Sequence, residues 1–230
     1  MERGNKIEVL HTKEICSMSV SFMPAFTSRE ELEALQLEGL KWTVAHAYHN
    51  SPYYRKSLDD AGVSPESIRT LDDLRRLPFV TAHDLQSGYP FPLRSVPFEK
   101  IVRIHASSGT TGKRKVLCYT QKDLNDWATM FARCYEMAGL SREDRVQIAV
   151  GYGLWTAGVG FQLGAERFGA LSVPVGPANT EIHCQMLEDM QSSVFCATAS
   201  MALLIAEEIE QRGLRDRIAL KKFIFGAERH

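Results

Sequence analysis

From about residue 100 onward, short apolar stretches alternate with longer amphipathic ones, and that alternation narrows the possible folds more than any other feature of the chain. "RVQIAV", "LSVPV", "SVFCA" and "KKFIF" read as strands, separated by helical stretches around 157–168, 180–190 and 200–212. Short apolar strands alternating with helices imply βαβ units on a mostly parallel sheet. Just upstream, "KIVRIHA" and "KVLCYT" read as two strands flanking a small-residue loop. Thr120 with Asp123 caps a helix whose Leu124, Trp127, Phe131, Cys134 and Ala138 fall on one face, and Gly139 ends it. The fold class expected is therefore α/β.

Residues 1–95 have a different texture and read as a helical N-terminal region, set apart from an α/β unit over 96–230. Ser28 with Glu31 makes a capping box. Leu32, Leu35, Leu40, Val44 and Ala47 then recur near helical spacing until "NSPYYRK" stops the run. Thr70 with Asp73 and Thr81 with Asp84 repeat the cap-plus-acid pattern, and Pro78, Pro90, Pro92 and Pro97 break what lies between. No strand with clean alternation is expected here.

A core of ordinary size is affordable, since 44% of the 230 residues are hydrophobic and 24% charged. The net charge of -1 offers nothing to nucleic acid or to an acidic membrane surface. Cys16, Cys118, Cys134, Cys184 and Cys196 stand singly, which argues for a reducing compartment and against a zinc knuckle or disulfide framework. The N-terminus mixes charges without the apolar run of a signal peptide, and no window approaches a membrane span. A cytoplasmic location is expected. His46, His49, His83, His105, His183 and His230 lack metal-ligand spacing and read as surface or core residues, so no metal site is assigned. "EEIEQRGLRDR" reads as a solvated helix face with its cap.

Three stretches carry chemistry. "HASSGTTGKRK", His105 to Lys115, packs hydroxyls, glycines and cations together without a large apolar side chain. Such a loop can converge hydroxyl and N–H donors on an anion, with glycines allowing close backbone approach. It is not a Walker A loop, because Ser107 holds the place of the first glycine and Arg114 that of the required Ser or Thr. Residue types alone also allow a solvated hairpin turn. In "VGYGLWTAGVG", Tyr152 and Trp155 beside bare glycines read either as a slot for a flat apolar group or as a packed strand-to-helix corner. "FIFGAERH" delivers Gly226, Ala227 and Glu228 to a strand's carboxyl end, where open α/β sheets bind ligands, though an ordinary turn reads the same way.

The wording of these stretches resembles the adenylate-forming superfamily of acyl-coenzyme A synthetases, and more narrowly the N-terminal part of phenylacetate–coenzyme A ligases. The matching pieces are "RIHASSGTTGK", Tyr119-Thr120, "GYGLWTAGVG", "GAERFGA", "FGAE" and the leader "NSPYYRKSLDDAGVSPESIRTLDDLRRLPFVTAHDL", spread over roughly residues 28–228. Three positions depart from the family pattern. Arg114 replaces a proline, Val150 stands where relatives commonly carry tyrosine, and Arg229 follows "FGAE" in place of proline.

The resemblance implies ATP-dependent activation of an aromatic, phenylacetate-like carboxylic acid to an acyl-adenylate and then to a coenzyme A thioester. It implies Ser107, Ser108, Gly109, Thr110, Thr111, Gly112 and Lys113 as phosphate contacts. Gly226, Ala227 and Glu228 would line the adenine side, and Val150, Tyr152, Trp155 and Phe225 the acyl pocket. ATP, Mg²⁺ and coenzyme A are the implied co-substrates, a small carboxylic acid the implied substrate, and a homodimer the expected assembly. No residue here is assigned a catalytic role. A later Gly-Tyr-Thr-Glu segment, a ribose-binding aspartate and a mobile domain with its lysine belong to the family pattern. None follows "FGAE" here, so the 230 residues are expected to be an N-terminal portion that does not turn over alone and tends to self-associate. Two other functions fit the same residues: an adenylate-forming enzyme that passes AMP to a different acceptor, and a non-catalytic nucleotide-binding or assembly module.

Overall fold

A computed structural model describes residues 21–107 and 112–228. The chain opens with α1 (Arg29–Asn50) and α2 (Pro52–Asp60), continues through short 3-10 turns to α3 (Ala82–Ser87), and then enters the strands. Ser51 ends α1 and caps α2, with Pro52 in the first helical position, which is why "NSPYYRK" breaks the run. The caps read from sequence form, with two adjustments. Ser28 accepts from the Glu31 N–H, but the Glu31 carboxylate turns to the Thr27 N–H (2.7 Å) instead of closing a box on Ser28. Thr70 and Asp73 cap a 3-10 turn, Leu71–Arg76, in place of an α-helix. The apolar face expected on α1 is also corrected: among its five positions only Val44 is buried, and Leu35 is 55% exposed. Val44 joins Leu58, Val63 and Ile68 in a small core of its own.

β1 (Ile101–Ala106) and β2 (Val116–Thr120) pair antiparallel and stand apart from the main sheet. Beyond them lie α4 (Gln121–Met137), β3 (Arg145–Ile148), α5 (Ala157–Phe168), β4 (Leu171–Val173), α6 (Thr180–Met190), β5 (Val194–Thr198), α7 (Ala199–Gln211) and β6 (Lys222–Gly226). The four strands β3 to β6 form a parallel sheet in the order β4-β3-β5-β6, each joined to the next by a helix. This is the expected α/β architecture, with helices at the right places to within a residue. β3 and β5 are central, so their residues are buried on both faces; β5 reads as a nearly continuous apolar run, while β3 carries the buried Gln147 between Val146 and Ile148. Val194 and Cys196 join the core beneath α4 and α5, while Phe195 and Ala197 join the one beneath α6 and α7.

The buried stripe of α4 differs from the one expected. Cys134 and Ala138 are exposed, and Ala132 and Tyr135 take the core positions. The reason lies in α5. Its Gly160 and Gly164 leave room for Phe131 and Trp127, both of the expected stripe, to press against its backbone, with Ala132 and Tyr135 buried beside them. The Tyr135 hydroxyl then donates to the Phe161 carbonyl (2.9 Å). The four described cysteines, Cys118, Cys134, Cys184 and Cys196, are free. No helix among the described residues is long and apolar enough to cross a membrane.

One core feature predicts acid sensitivity. Gln147 on β3 and His183 on α6 are both fully buried, and the Gln147 amide donates to the His183 carbonyl (3.0 Å) and lies 3.2 Å from Nδ1. Burial pulls the His183 pKa below its ordinary 6.5, against a smaller opposing effect of the Gly176 backbone. The unfolded chain therefore takes up the proton more readily than the folded one. The stabilising contribution is complete above about pH 6.5 and is lost as acidification carries the pH down through the lower folded-state value. The urea midpoint should fall between pH 7 and pH 5, and fall less in His183→Asn. An equal slope in both proteins would show that other groups are responsible.

Candidate functional site

Three of the stretches singled out from sequence come together at the carboxyl edge of the parallel sheet. β3 leads into 149–156, β5 ends at Thr198, and β6 ends at Gly226, so the loops after three adjacent strands share one edge. Gly176 N–H donates to the Ile148 carbonyl (2.8 Å) and Gly158 N–H to the Gly151 carbonyl (3.1 Å), closing the first of these loops onto the sheet. The hairpin is tied to the same place, because Ala106 N–H donates to the Leu154 carbonyl (2.8 Å). At the far side, the Glu228 carboxylate accepts from both the N–H (2.7 Å) and the hydroxyl (3.0 Å) of Ser200 at the start of α7. Those bonds hold its pKa below the usual carboxylate value.

The small-residue loop spans the tip of the hairpin. Ser108, Gly109, Thr110 and Thr111 lie outside the described residues, and the flanks are well tethered. Ser107 N–H donates to the Lys115 carbonyl (3.1 Å), and its hydroxyl oxygen accepts from the Lys115 N–H (3.0 Å). The Ser107 backbone N–H is thus consumed in closing the loop, which leaves its hydroxyl proton as the donor free for a ligand. Arg114, in the place of the family's proline, donates to the Ser107 carbonyl (3.0 Å) and so closes the loop by another route. Gly112 has φ +134°, a conformation that side chains rarely tolerate, and a Cβ there would stand 3.4 Å from the Gln86 amide nitrogen. That amide donates to the Lys113 carbonyl (3.2 Å), while the Lys113 ammonium lies 5.6 Å from the centre of the Tyr89 ring.

In the second stretch, the Tyr152 ring is held between two glycines. A Cβ on Gly158 would fall 2.9 Å from it and one on Gly176 3.3 Å, so both positions must stay bare for the ring to sit there. Burial pushes the Tyr152 phenol up to about 12. Its hydroxyl is buried and has no hydrogen-bond partner among the described residues. Trp155 packs beside Gly151 and is 47% exposed, which gives the loop an accessible flat apolar face. Val150 is 5% exposed and belongs to the core beneath, so it touches the edge only from behind. Phe225 on β6 is 43% exposed. Next to it, nothing lies within 4 Å of a Cβ added to Gly226, and Ala227 adopts φ +69°, a left-handed conformation that costs a non-glycine residue about 1–2 kcal/mol.

A cavity of about 670 Å³ lies elsewhere, between α1, α2 and β2, lined among others by Trp42, Tyr54, Leu58, Phe91, Arg94 and Cys118. None of the residues singled out from sequence as ligand contacts lines it. Among the described residues, no group of three or more His, Cys, Asp or Glu could hold a metal ion. Sequence reasoning missed His105, which it placed among isolated histidines. Its Nδ1 lies 3.3 Å from the Leu154 carbonyl, in a second loop 49 residues away. The only local signal was its position two residues before the small-residue loop.

No protein-family model matches the chain. Over 203 residues it is 46% identical to the phenylacetate-coenzyme A ligase of Escherichia coli K12, a match covering 87% of this chain and 46% of that one. The enzyme of the same name from Aromatoleum evansii is 46% identical over 202 residues, and that from Thermus thermophilus 44% over 201. The chain is similar to phenylacetate–coenzyme A ligases over 87% of its own length. It spans about half the length of the curated relatives it matches. Among solved structures, a 2-hydroxyisobutyryl-CoA ligase in complex with 2-HIB-AMP and CoA superimposes with a TM-score of 0.80 at 29% identity, covering 90% of this chain and 45% of that one. An open conformation of that ligase, also with 2-HIB-AMP and CoA, gives 0.80 at 27%. The resemblance and the α/β fold expected from the residues both stand.

Proposed function

We propose that this chain carries the phosphate- and acyl-binding part of a ligase that activates an aromatic carboxylic acid with ATP and transfers it to coenzyme A. The observation that carries the reading is the 46% identity to phenylacetate-coenzyme A ligases, extending over 203 residues of the chain. In this reading the acid's carboxylate attacks the α-phosphate of ATP, giving acyl-adenylate and pyrophosphate. The thiolate of coenzyme A then displaces AMP. What the protein must supply is neutralisation of phosphate charge and a fixed place for the acid. Ser107 to Gly112 and Lys113 hold the β- and γ-phosphates, Gly226 to Glu228 border the adenine, and Trp155, Tyr152 and Phe225 receive the acyl body, with Val150 shaping its floor. Mg²⁺ enters on the triphosphate, whose oxygens and waters fill most of its coordination shell.

The protein acts in the cytoplasm and pairs as a homodimer in this reading. The position of β6 at the sheet edge, with Phe225 exposed, supports an association surface.

Titration of Mg·ATP and of phenylacetate into the chain, paired with acid-dependent exchange of labelled pyrophosphate into ATP by the full-length protein, tests the proposal. Both ligands should bind. Exchange that proceeds equally with and without coenzyme A, and a product in which AMP has moved to another acceptor, would favour the AMP-transferring alternative. Absence of binding by either ligand would overturn the ligase reading. Across a panel of acids, flat aromatic acids should be preferred over long aliphatic ones. The preference should be graded, at about 1–3 kcal/mol for each methylene-sized misfit. Best binding of long-chain fatty acids would contradict it.

A further inference from the structure

The Leu154 carbonyl accepts from two donors on one strand. Ala106 N–H reaches it at 2.8 Å and His105 Nδ1 at 3.3 Å. Since a carbonyl can only accept, Nδ1 must carry the proton, which leaves Nε2 bare. The ring has little freedom to leave. It is 2% exposed and stands edge-on to Tyr119 of β2 (5.1 Å between centroids) and to Trp127 of α4 (5.2 Å). Burial also keeps its pKa below the ordinary histidine value, so the ring is neutral at pH 7. One residue beyond Ala106 the chain enters the phosphate loop. Leu154 lies between Gly153 (φ +91°) and Trp155, in the loop that offers the exposed aromatic face. A segment containing Gly151 and Gly153 is intrinsically loose, and these two bonds, with a further backbone interaction of Trp155 with the His105 ring, tie its middle to the hairpin.

We propose that His105 is a positioning residue that clamps the acyl loop to the phosphate loop through the Leu154 carbonyl, so that binding at one loop favours binding at the other. The substrates in this proposal rest on the ligase reading above; the clamp itself rests only on the geometry. A ligand held at either loop favours the placement of the other because both are tied through one carbonyl, and by linkage the coupling is reciprocal.

Two substitutions separate the clamp from simple packing. In His105→Asn the side-chain amide nitrogen stands where Nδ1 stood and can still donate to Leu154. His105→Gln keeps more of the volume but places its amide nearer the position of Nε2, away from that carbonyl. The first measurement is amide hydrogen exchange of the unliganded chain, read on peptides covering 105–115 and 151–156. His105→Gln should speed exchange in both stretches by about tenfold, while His105→Asn stays close to wild type. The second is calorimetry with α,β-methylene-ATP and phenylacetate as probes. In the wild type each probe should tighten the other by about fivefold or more, and in His105→Gln the factor should drop below about twofold, with recovery in His105→Asn. Acceleration confined to the hairpin, or equal behaviour of the two variants, would overturn the clamp. Failure of the wild type to bind either probe would count against the ligase reading, and the exchange measurement would still decide the clamp.

Discussion

Replacing Thr110 and Thr111 together with valine should weaken Mg·ATP binding by at least about 100-fold while leaving thermal stability close to wild type. A hydrogen bond to a charged group contributes about 1.5–3 kcal/mol, so losing two hydroxyl donors to phosphate removes about 3–6 kcal/mol. At about 1.4 kcal/mol per factor of ten, that is a loss of two to four decades. The fold should survive because the loop's anchors lie outside the pair: Ser107 with Lys115, Arg114 with the Ser107 carbonyl, and Gln86 with the Lys113 carbonyl. Calorimetric titration and a melting curve on the same samples measure both quantities. Unchanged nucleotide affinity in the double variant would remove the loop from the phosphate site.

Gly164→Ala should destabilise the protein by about 3 kcal/mol, the upper end of what overpacking a core costs. A Cβ at this position would lie 2.3 Å from the Phe131 Cβ and 3.3 Å from the Phe131 backbone carbon. Neither neighbour is the end of a flexible side chain, so relief requires the whole of α4 to move away from α5. For a chain of this size the melting temperature should drop by about 6–12 °C. Gly39→Ala in α1 is the control. Nothing lies within 4 Å of the added methyl there, and alanine is a better helix former than glycine by about 1 kcal/mol, so that variant should melt at or above the wild-type temperature. Equal melting of the two variants would refute the close α4–α5 contact. Because α5 starts directly after Trp155 and Thr156, Gly164→Ala should also loosen the acyl loop.

What could be read before any coordinates were known is what short stretches of chain decide for themselves. The caps at Thr81 and Thr120 formed where the residues put them, since a side-chain oxygen three residues from an N–H finds it with little help from the rest of the molecule. The strand β5 was legible for a similar reason: a strand covered on both faces has to be apolar at nearly every step. The order of motifs was enough to suggest the family, because residue identities in a ligand loop are set by the ligand's chemistry and survive without reference to packing.

Tertiary structure alone decided the rest. α4 carries two apolar stripes side by side, and periodicity cannot choose between them. The missing side chains of Gly160 and Gly164 on α5 decided what is covered: they admit Trp127 and Phe131 of the expected stripe, with Ala132 and Tyr135 buried beside them and Cys134 and Ala138 left exposed. α1 had a plausible apolar face and buried only Val44 of it, because a face is buried only where another element comes to cover it. His105 looked like an isolated histidine until folding brought the Leu154 carbonyl to its ring, and only folding brought Ser200 within reach of Glu228 across the sheet edge. Neither bond has a local signature. Each joins residues far apart in the chain, and the free energy that makes it belongs to the packed sheet and helices that hold both partners still. Periods and caps depend on neighbours within four residues and are written in the sequence; partners across the fold depend on close packing and appear only when the chain is assembled.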